Sequence, residues 1–170
     1  HHNDYSPKFD KARSIRLDSL SFNADGTIQK VIPTLRGVGL TAANKQIQID
    51  RYTQIGKQGT SIAFLDTLNT FKGWKTIFNG AGAWLQYNSL DFGSKPLKTV
   101  SVNAISTDGG VLQLRANSIT GPVIAELRIA KSNEWKLTKA TVLKTQTGVQ
   151  NLFVVSKDGK QVEVDWISFE

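Results

Sequence analysis

The chain has 170 residues, of which 39% are hydrophobic and 21% charged, so it can form one folded domain and wholesale disorder is excluded. It contains no Cys, and its only histidines are His1 and His2, which excludes disulfides, thiolate nucleophiles, Cys-based zinc sites and His-based sites elsewhere in the chain. The net charge of +7 permits an anionic partner, but basic residues never form a run of three and acidic residues are interspersed, which favours lysines scattered over the surface.

The first segment of the chain predicts a β-hairpin. Strands are expected over residues 14–22 and 27–32, joined by a tight turn at residues 23–26 (NADG), and Pro33 ends the return strand. A lone hairpin is marginally stable in water, so we expect residues 1–37 to need a packing partner.

Two features of this region concern the organisation of the chain. Residues 35–44 are poorly patterned and contain Gly and Ala, and we interpret residues 38–45 as a linker. The chain opens with His1 and contains no Met, so we expect it to be a processed product or part of a longer polypeptide.

The remainder of the chain predicts an all-β fold. Segments of alternating apolar and polar residues recur about every ten residues with Gly-containing turns between them, which is typical of a β-sandwich or jelly roll. Helical periodicity of useful length is missing, so a parallel α/β sheet is not expected. The clearest predicted strands are residues 97–105, 111–116, 123–129, 140–143, 150–155 and 162–169.

Residues 1–37 resemble the closing segment of a glycoside hydrolase family 43 catalytic domain. The resemblance lies in the His-containing start and in residues 13–18 (RSIRLD), 22–28 (FNADGTI) and 32–34 (IPT). That family folds as a five-bladed β-propeller, and this segment is similar to its last blade. The family's catalytic carboxylates lie on earlier blades, so the resemblance implies no catalytic residue in this chain and leaves its status as an enzyme uncertain. His1 is similar to a His near the propeller's central metal.

Residues 46–170 resemble a family 6 carbohydrate-binding module, which is a β-sandwich of jelly-roll type. Such modules often follow family 43 hydrolases, so the two resemblances agree with each other. The matching segments are residues 47–52 (IQIDRY), 82–87 (GAWLQY), 90–93 (LDFG), 132–135 (SNEW) and 164–169 (VDWISF).

Sugar recognition requires aromatic faces for the C–H side of the ring and a few polar groups for its hydroxyls. Trp135 lies in a polar stretch, residues 131–136, that we predict to be a loop, and it is similar to the family's stacking Trp. A second aromatic is expected just before residues 82–87. Phe78 and Trp74 compete for this role, with Phe78 fitting the spacing better and Trp74 looking more exposed.

One position departs from the family pattern. Glu163 stands where the family usually has an Asn that hydrogen-bonds the sugar. An ionised Glu accepts hydrogen bonds but cannot donate them, so the cleft is expected to bind a different sugar, to bind weakly or to be inactive. Asn133 is a possible substitute by position.

The resemblance also implies a structural calcium. The family holds this ion with side chains of the opening strand and with the Asp of the closing strand, positions occupied here by Gln48, Asp50 and Asp165. All three offer oxygen, as a hard cation requires. The alternative is that Asp50 simply pairs with a nearby Lys or Arg.

The leading functional hypothesis is a module that targets an arabinofuranosidase- or xylosidase-like hydrolase to arabinoxylan or a related plant cell-wall polysaccharide. Its partners would be the polysaccharide and the upstream catalytic propeller, with neither nucleic acid nor a membrane. The family implies a periplasmic or extracellular location. The first alternative is a structural sandwich that braces the propeller without binding a ligand. A nucleic-acid-binding domain is the second, suggested only by the charge.

Overall fold

A computed structural model describes residue 15 and residues 17–170. Twelve β-strands and one turn of 3-10 helix (Thr70–Lys72) form its regular structure. None of the described helical residues forms a segment that is long and apolar enough to cross a membrane. The strands are β1 (Thr41–Ala42), β2 (Ile47–Gln48), β3 (Gln54–Ile55), β4 (Thr60–Phe64), β5 (Trp74–Phe78), β6 (Trp84–Asp91), β7 (Thr99–Ser106), β8 (Gly110–Ala116), β9 (Val123–Ile129), β10 (Ser132–Thr141), β11 (Val149–Ser156) and β12 (Val162–Phe169).

The strands form two six-stranded sheets that pack face to face. One sheet has the order β1-β6-β11-β8-β9, with β3 also pairing with β6, and the other has the order β10-β7-β12-β5-β4, with β2 also pairing with β12. All the pairs are antiparallel except β1 with β6. The predicted all-β sandwich is therefore confirmed.

Alternation along the strands places the core between the sheets. In β8, Leu112 and Leu114 are fully buried while Gln113 is only partly covered, as the period of two predicts. The other sheet contributes Val164 and Phe169 from β12, both buried. Burying this many aliphatic side chains, at about 1.5–3 kcal/mol each, is the main term that stabilises the sandwich.

The hairpin predicted at the start of the chain forms a turn but only minimal strand pairing. Gly26 N donates to Asn23 O at 3.0 Å and Asn23 N donates to Thr27 O at 2.8 Å, which closes the expected turn. A single antiparallel bridge joins Phe22 and Ile28. The segment also exposes most of its large apolar side chains. More than half of the surface of each of the following is exposed: Leu17, Leu20, Phe22, Ile28 and Ile32.

The connection between the hairpin and the sandwich is held in place by Arg36. Its Nε donates to Asn88 O at 3.0 Å, and the guanidinium lies 4.8 Å from the centre of the Tyr87 ring. Thr34 is anchored too, because its hydroxyl donates to Asp18 at 2.7 Å. The tail of the hairpin segment therefore has a defined position on the sandwich.

Part of the segment predicted to be a linker, residues 38–45, belongs to the sandwich. Thr41 and Ala42 form β1 against β6, and Ala43 is fully buried. Phe169 N donates to Ala43 O at 2.9 Å, so the first and last stretches of the sandwich meet. Sequence patterning missed β1 because a two-residue strand is too short to show alternation.

Candidate functional site

Two aromatic side chains lie together at the end of β4 and the start of β5. Phe64 ends β4 and Trp74 begins β5, and the two residues are direct partners in the antiparallel ladder. Their rings stack with centroids 4.0 Å apart and planes inclined by 30°. Both are half-buried, so each ring rests on the protein and presents part of its surface. We call the pair Phe64–Trp74 the aromatic wall.

The loop between these strands is organised by Asp66. Its Oδ1 accepts hydrogen bonds from the backbone N–H groups of Leu68 and Asn69 at 2.9 and 3.3 Å, and its Oδ2 accepts one from Lys72 Nζ at 2.9 Å. The bond from Lys72 is the main reason that the pKa of Asp66 lies below its usual value. The loop beside the aromatic wall is therefore ordered by one ionised carboxylate.

Trp135 projects from an irregularity in β10. Ser132 pairs with Ser106 and Lys136 pairs with Ala104, so residues 133–135 face only one residue of β7. The extra residues of such a β-bulge are left unpaired, and their side chains point in a different direction from those of the regular strand. The predicted loop over residues 131–136 is thus a bulged stretch of strand, and Trp135 is half-buried on it.

Trp135 and Phe64 line one cleft of about 470 Å³. This volume lies within the usual range for small-ligand sites. Polar groups complete the lining, so the cleft combines aromatic surface with hydrogen-bonding side chains. The lining residues are Phe64, Leu65, Asp66, Thr67, Lys72, Lys75 and Trp135.

Lys75 brings an ammonium group to this cleft, and Glu163 holds it there. Lys75 Nζ lies 2.6 Å from Glu163 Oε2, and their side chains are 20% and 19% exposed. Glu163 Oε1 accepts a second hydrogen bond, from Gln161 Nε2 at 3.1 Å. The ammonium has three hydrogens, so Lys75 can also donate into the cleft.

The charges at this cleft are arranged as pairs. Lys72 pairs with Asp66, and Lys75 pairs with Glu163. Among the side chains that line the cleft or bond directly to Lys75, the formal charges therefore cancel. Such a surface suits an uncharged, hydroxyl-rich ligand better than a strongly ionic one.

The predicted sugar-binding residues have different positions relative to this cleft. Trp135 lines the 470 Å³ cleft, and Trp74 belongs to the aromatic wall beside it. Glu163 reaches the cleft through Lys75, and Asn133 is exposed in the bulge but is not among the lining residues. The prediction for Phe78 is wrong, because its ring is 0% exposed and packs in the core.

Of the residues that line this cleft, only Trp135 was predicted from the sequence, and the most important residues that were missed are Phe64 and Lys75. Phe64 ends an apolar strand and precedes a polar loop, a position from which an aromatic can face solvent. Lys75 lies on β5, and its side chain reaches Glu163 on the neighbouring strand β12, a contact that only the strand order reveals. The sequence signal available for Phe64 was an aromatic residue at the end of a strand, directly before a polar loop.

A second cleft of about 590 Å³ is lined by both rings of the aromatic wall. It shares Phe64 and Thr67 with the first cleft, so the two adjoin. Its lining is free of charged side chains and includes residues from the anchored segment before the sandwich. The lining residues are Pro33, Thr34, Leu35, Tyr52, Thr53, Ile62, Ala63, Phe64, Thr67 and Trp74.

The three residues predicted to bind calcium lie around the junction of β2 and β12. Gln48 pairs with Trp166, the residue after Asp165, and Asp50 follows β2. Asp50 is 7% exposed and its Oδ1 is buried without a hydrogen-bond partner. Asp165 Oδ2 accepts a hydrogen bond from Asn103 Nδ2 at 3.0 Å.

At this junction, two ionised carboxylates without a counter-ion are electrostatically unfavourable. Burial raises the pKa of Asp50 to about 6, with a further contribution from the charge of Asp165 and an opposing one from Arg51. Burial also raises the pKa of Asp165. No group of three or more His, Cys, Asp or Glu side chains able to hold a metal occurs among the described residues. A cation here would be held by two carboxylates and an amide, an oxygen set that fits calcium.

Comparison with known proteins decides the family. A model described as carbohydrate binding module (family 6) matches residues 53–170. The chain belongs to this family.

Relatives of the module include parts of larger enzymes. The chain is 26% identical over 157 residues to the arabinoxylan arabinofuranohydrolase of Paenibacillus polymyxa, covering 84% of the chain and 23% of that enzyme. A second arabinoxylan arabinofuranohydrolase, from Bacillus subtilis (strain 168), is 28% identical over 152 residues, and the match covers 29% of it. The chain thus spans less than a third of the curated relatives it matches.

Solved structures share the fold of the module. A family 6 module from Clostridium stercorarium in complex with cellobiose superposes with a TM-score of 0.69 at 21% identity, covering 78% of this chain and 97% of that one. The family 43 arabinoxylan arabinofuranohydrolase from Bacillus subtilis in complex with cellotetraose gives a TM-score of 0.69 at 22% identity and covers 89% of this chain and 33% of that one. The match to the hydrolase therefore extends further along the chain than the match to the isolated module.

Proposed function

We propose that the module binds a neutral xylan-type polysaccharide, with arabinoxylan as the leading substrate, in the cleft between Trp135 and Phe64. The observation that carries the proposal is this cleft, which combines two aromatic side chains with charges that cancel in pairs. Sugar rings stack on aromatic faces, and their hydroxyls need both donors and acceptors. The names of the relatives, two arabinoxylan arabinofuranohydrolases, supply the substrate class.

Lys75 and Glu163 together would do the work of the Asn that the family usually places at position 163. An amide offers a donor and an acceptor from one side chain, whereas an ionised Glu offers only acceptors. The Lys75 ammonium, 2.6 Å from Glu163 Oε2, restores the missing donor. Glu163 then acts as a positioning residue, because its two oxygens already accept from Lys75 and Gln161. This pairing supports a working cleft rather than an inactive one.

The parent polypeptide would be an arabinofuranosidase- or xylosidase-like hydrolase, exported to act on plant cell walls. Residues 1–37 would be the closing segment of its catalytic propeller. Two observations support this assignment: the match to the Bacillus subtilis hydrolase covers 89% of this chain, against 78% for the isolated module, and the segment exposes several large apolar side chains. Apolar surface of this extent in a short segment indicates a packing partner.

A bracing role is the second candidate, and the anchored connection favours it. Arg36 bonds to Asn88 and covers the Tyr87 ring, so the sandwich is fixed to the tail of the hairpin segment. A flexible tether would need no such contacts. Bracing and sugar binding are compatible, because Arg36 lines neither the 470 Å³ cleft nor the 590 Å³ cleft.

Gln48, Asp50 and Asp165 are the residues that would hold a structural calcium. The unpartnered, buried Oδ1 of Asp50 and the raised pKa values of both carboxylates support a cation at this place. The ion would neutralise the repulsion between the two carboxylates and tie β2 to β12. Its role would be stability, since the site is built from residues that do not line the sugar cleft.

The direct test is affinity electrophoresis of the chain in gels containing arabinoxylan, xylan, arabinan or β-glucan, with and without calcium. We expect arabinoxylan and xylan to retard the chain. The Trp135→Ala variant should migrate as in a gel without polysaccharide. Retardation of the variant equal to that of the native chain would contradict the cleft, and no retardation by any polymer would leave bracing as the function.

A further inference from the structure

The 590 Å³ cleft beside the aromatic wall has the features of a second ligand subsite. Phe64 and Trp74 form part of its lining, and Tyr52 adds a third aromatic side chain. Thr34, Thr53 and Thr67 contribute hydroxyl-bearing side chains, while no lining residue is charged. An uncharged surface of aromatics and hydroxyls matches the chemistry of a neutral sugar.

The far side of this cleft comes from outside the family match. Pro33, Thr34 and Leu35 precede residue 53, where the family model begins, and they line this cleft together with the aromatic wall. Arg36, the next residue, ties them to the sandwich by donating to Asn88, and the Thr34 hydroxyl donates to Asp18 of the same segment. The cleft therefore has a built wall that an isolated family 6 sandwich would lack.

The two clefts form one path. Phe64 and Thr67 line both, so a chain leaving the 470 Å³ cleft past Phe64 enters the 590 Å³ cleft. A polysaccharide is extended and repeats the same ring, so one molecule can occupy both places. Each added subsite then contributes without the cost of a second independent association.

We propose that the cleft between the aromatic wall and residues 33–35 is a second sugar subsite, which the same neutral oligosaccharide enters after filling the Trp135 cleft. This inference rests on the proposed function. It makes the tail of the hydrolase-like segment part of the binding surface, so the length of ligand recognised depends on residues outside the sandwich.

The test uses calorimetric titration of the full chain with linear xylo-oligosaccharides from the disaccharide to the hexasaccharide. We expect affinity to rise by about tenfold as the ligand becomes long enough to reach the second cleft. Ala63→Trp fills that cleft and should abolish the rise. Ser94→Trp, on an exposed loop outside both clefts, is the matched control and should keep the rise.

A second variant guards against misfolding at position 63. Leu35→Ala removes part of the outer wall without touching the sandwich core, and it should reduce the rise several-fold. Affinity that is the same for all lengths would overturn the second subsite, as would an unchanged rise in both variants. A failure of every oligosaccharide, including the disaccharide, to bind would instead overturn the proposed function.

Discussion

Phe64 and Trp74 face each other across the β4–β5 ladder and stack with their centroids 4.0 Å apart. The register that pairs them also places one ring in the lining of both clefts. Stacked aromatic pairs contribute about 0.5–1.5 kcal/mol beyond their burial, so each ring holds the other in position. The surface that we propose to face the sugar is therefore a pre-formed part of the sheet edge rather than a mobile loop.

Replacing Trp135 with Ala should abolish retention by arabinoxylan. The side chain lies on a bulge and is half-buried, so we expect a loss of stability of only about 1 kcal/mol. Affinity electrophoresis combined with thermal unfolding separates the two effects. Leu143→Ala is the control, because Leu143 is an exposed apolar residue away from the cleft, and it should bind normally.

Replacing Lys75 with Met should weaken sugar binding by about 10- to 100-fold, since a hydrogen bond from a charged donor contributes about 1.5–3 kcal/mol. Glu163→Gln should weaken binding less, because the amide oxygen can still accept from Lys75. Calorimetric titration of the two single variants and the double variant gives their coupling. Additive effects would contradict the assignment of Glu163 as a residue that acts through Lys75.

Affinity for a neutral xylan should hardly change with ionic strength. The ligand carries no charge, and the two ion pairs of the cleft each join partners 2.6–2.9 Å apart, well inside the screening length. Titrations from about 0.05 to about 0.5 M NaCl should give dissociation constants within a factor of about two. A steep decline in affinity with salt would indicate an anionic ligand and would revive the nucleic-acid hypothesis.

The calcium-free chain should lose stability as the pH rises through the range in which Asp50 ionises. The native pKa is raised from 3.8 to about 6, so the native state binds the proton more tightly than the unfolded chain does. The free energy of unfolding therefore falls between about pH 4 and pH 6, by about 3 kcal/mol if Asp50 acts alone. Thermal unfolding in EDTA at several pH values measures this fall.

Added calcium should reverse that loss above about pH 6, because the ion binds the ionised carboxylates. Asp50→Asn should remove both the pH dependence and the response to calcium, whereas Asp91→Asn, on a carboxylate outside the site, should keep both. Equal unfolding temperatures with and without calcium at about pH 7.5 would argue against the metal site.

Arg36→Ala should release the hairpin segment from the sandwich without unfolding the sandwich. The side chain bonds to Asn88 O and Gly39 O and covers the Tyr87 ring, but the sandwich core is built without it. Limited proteolysis should then cut near residues 37–40 several-fold faster, with little change in the unfolding temperature of the sandwich. Arg128→Ala, an exposed arginine on β9, serves as the control and should show native cleavage rates.

The alternation of apolar residues was sufficient to predict the sandwich, and β9 and β12 have the bounds that the sequence indicates. The prediction from sequence failed where the pairing of strands, rather than the alternation of apolar residues, determines the structure. The start of β10 was missed because its bulge interrupts the alternation, and Phe78 was misassigned because spacing alone does not say which face of β5 a residue occupies. The place of Lys75 in the candidate site could be recognised only from the sheet order, which puts β5 beside β12.

The hydrogen bond from Phe169 N to Ala43 O places the entry and the exit of the sandwich side by side. A domain with neighbouring ends can be inserted into a surface loop of another protein, or circularly permuted, without stretching its strands. New ends opened at the exposed turn of Lys157 and Asp158 would leave the 470 Å³ cleft whole. The module is thus a portable unit that can be attached to a foreign scaffold at a single point of its surface.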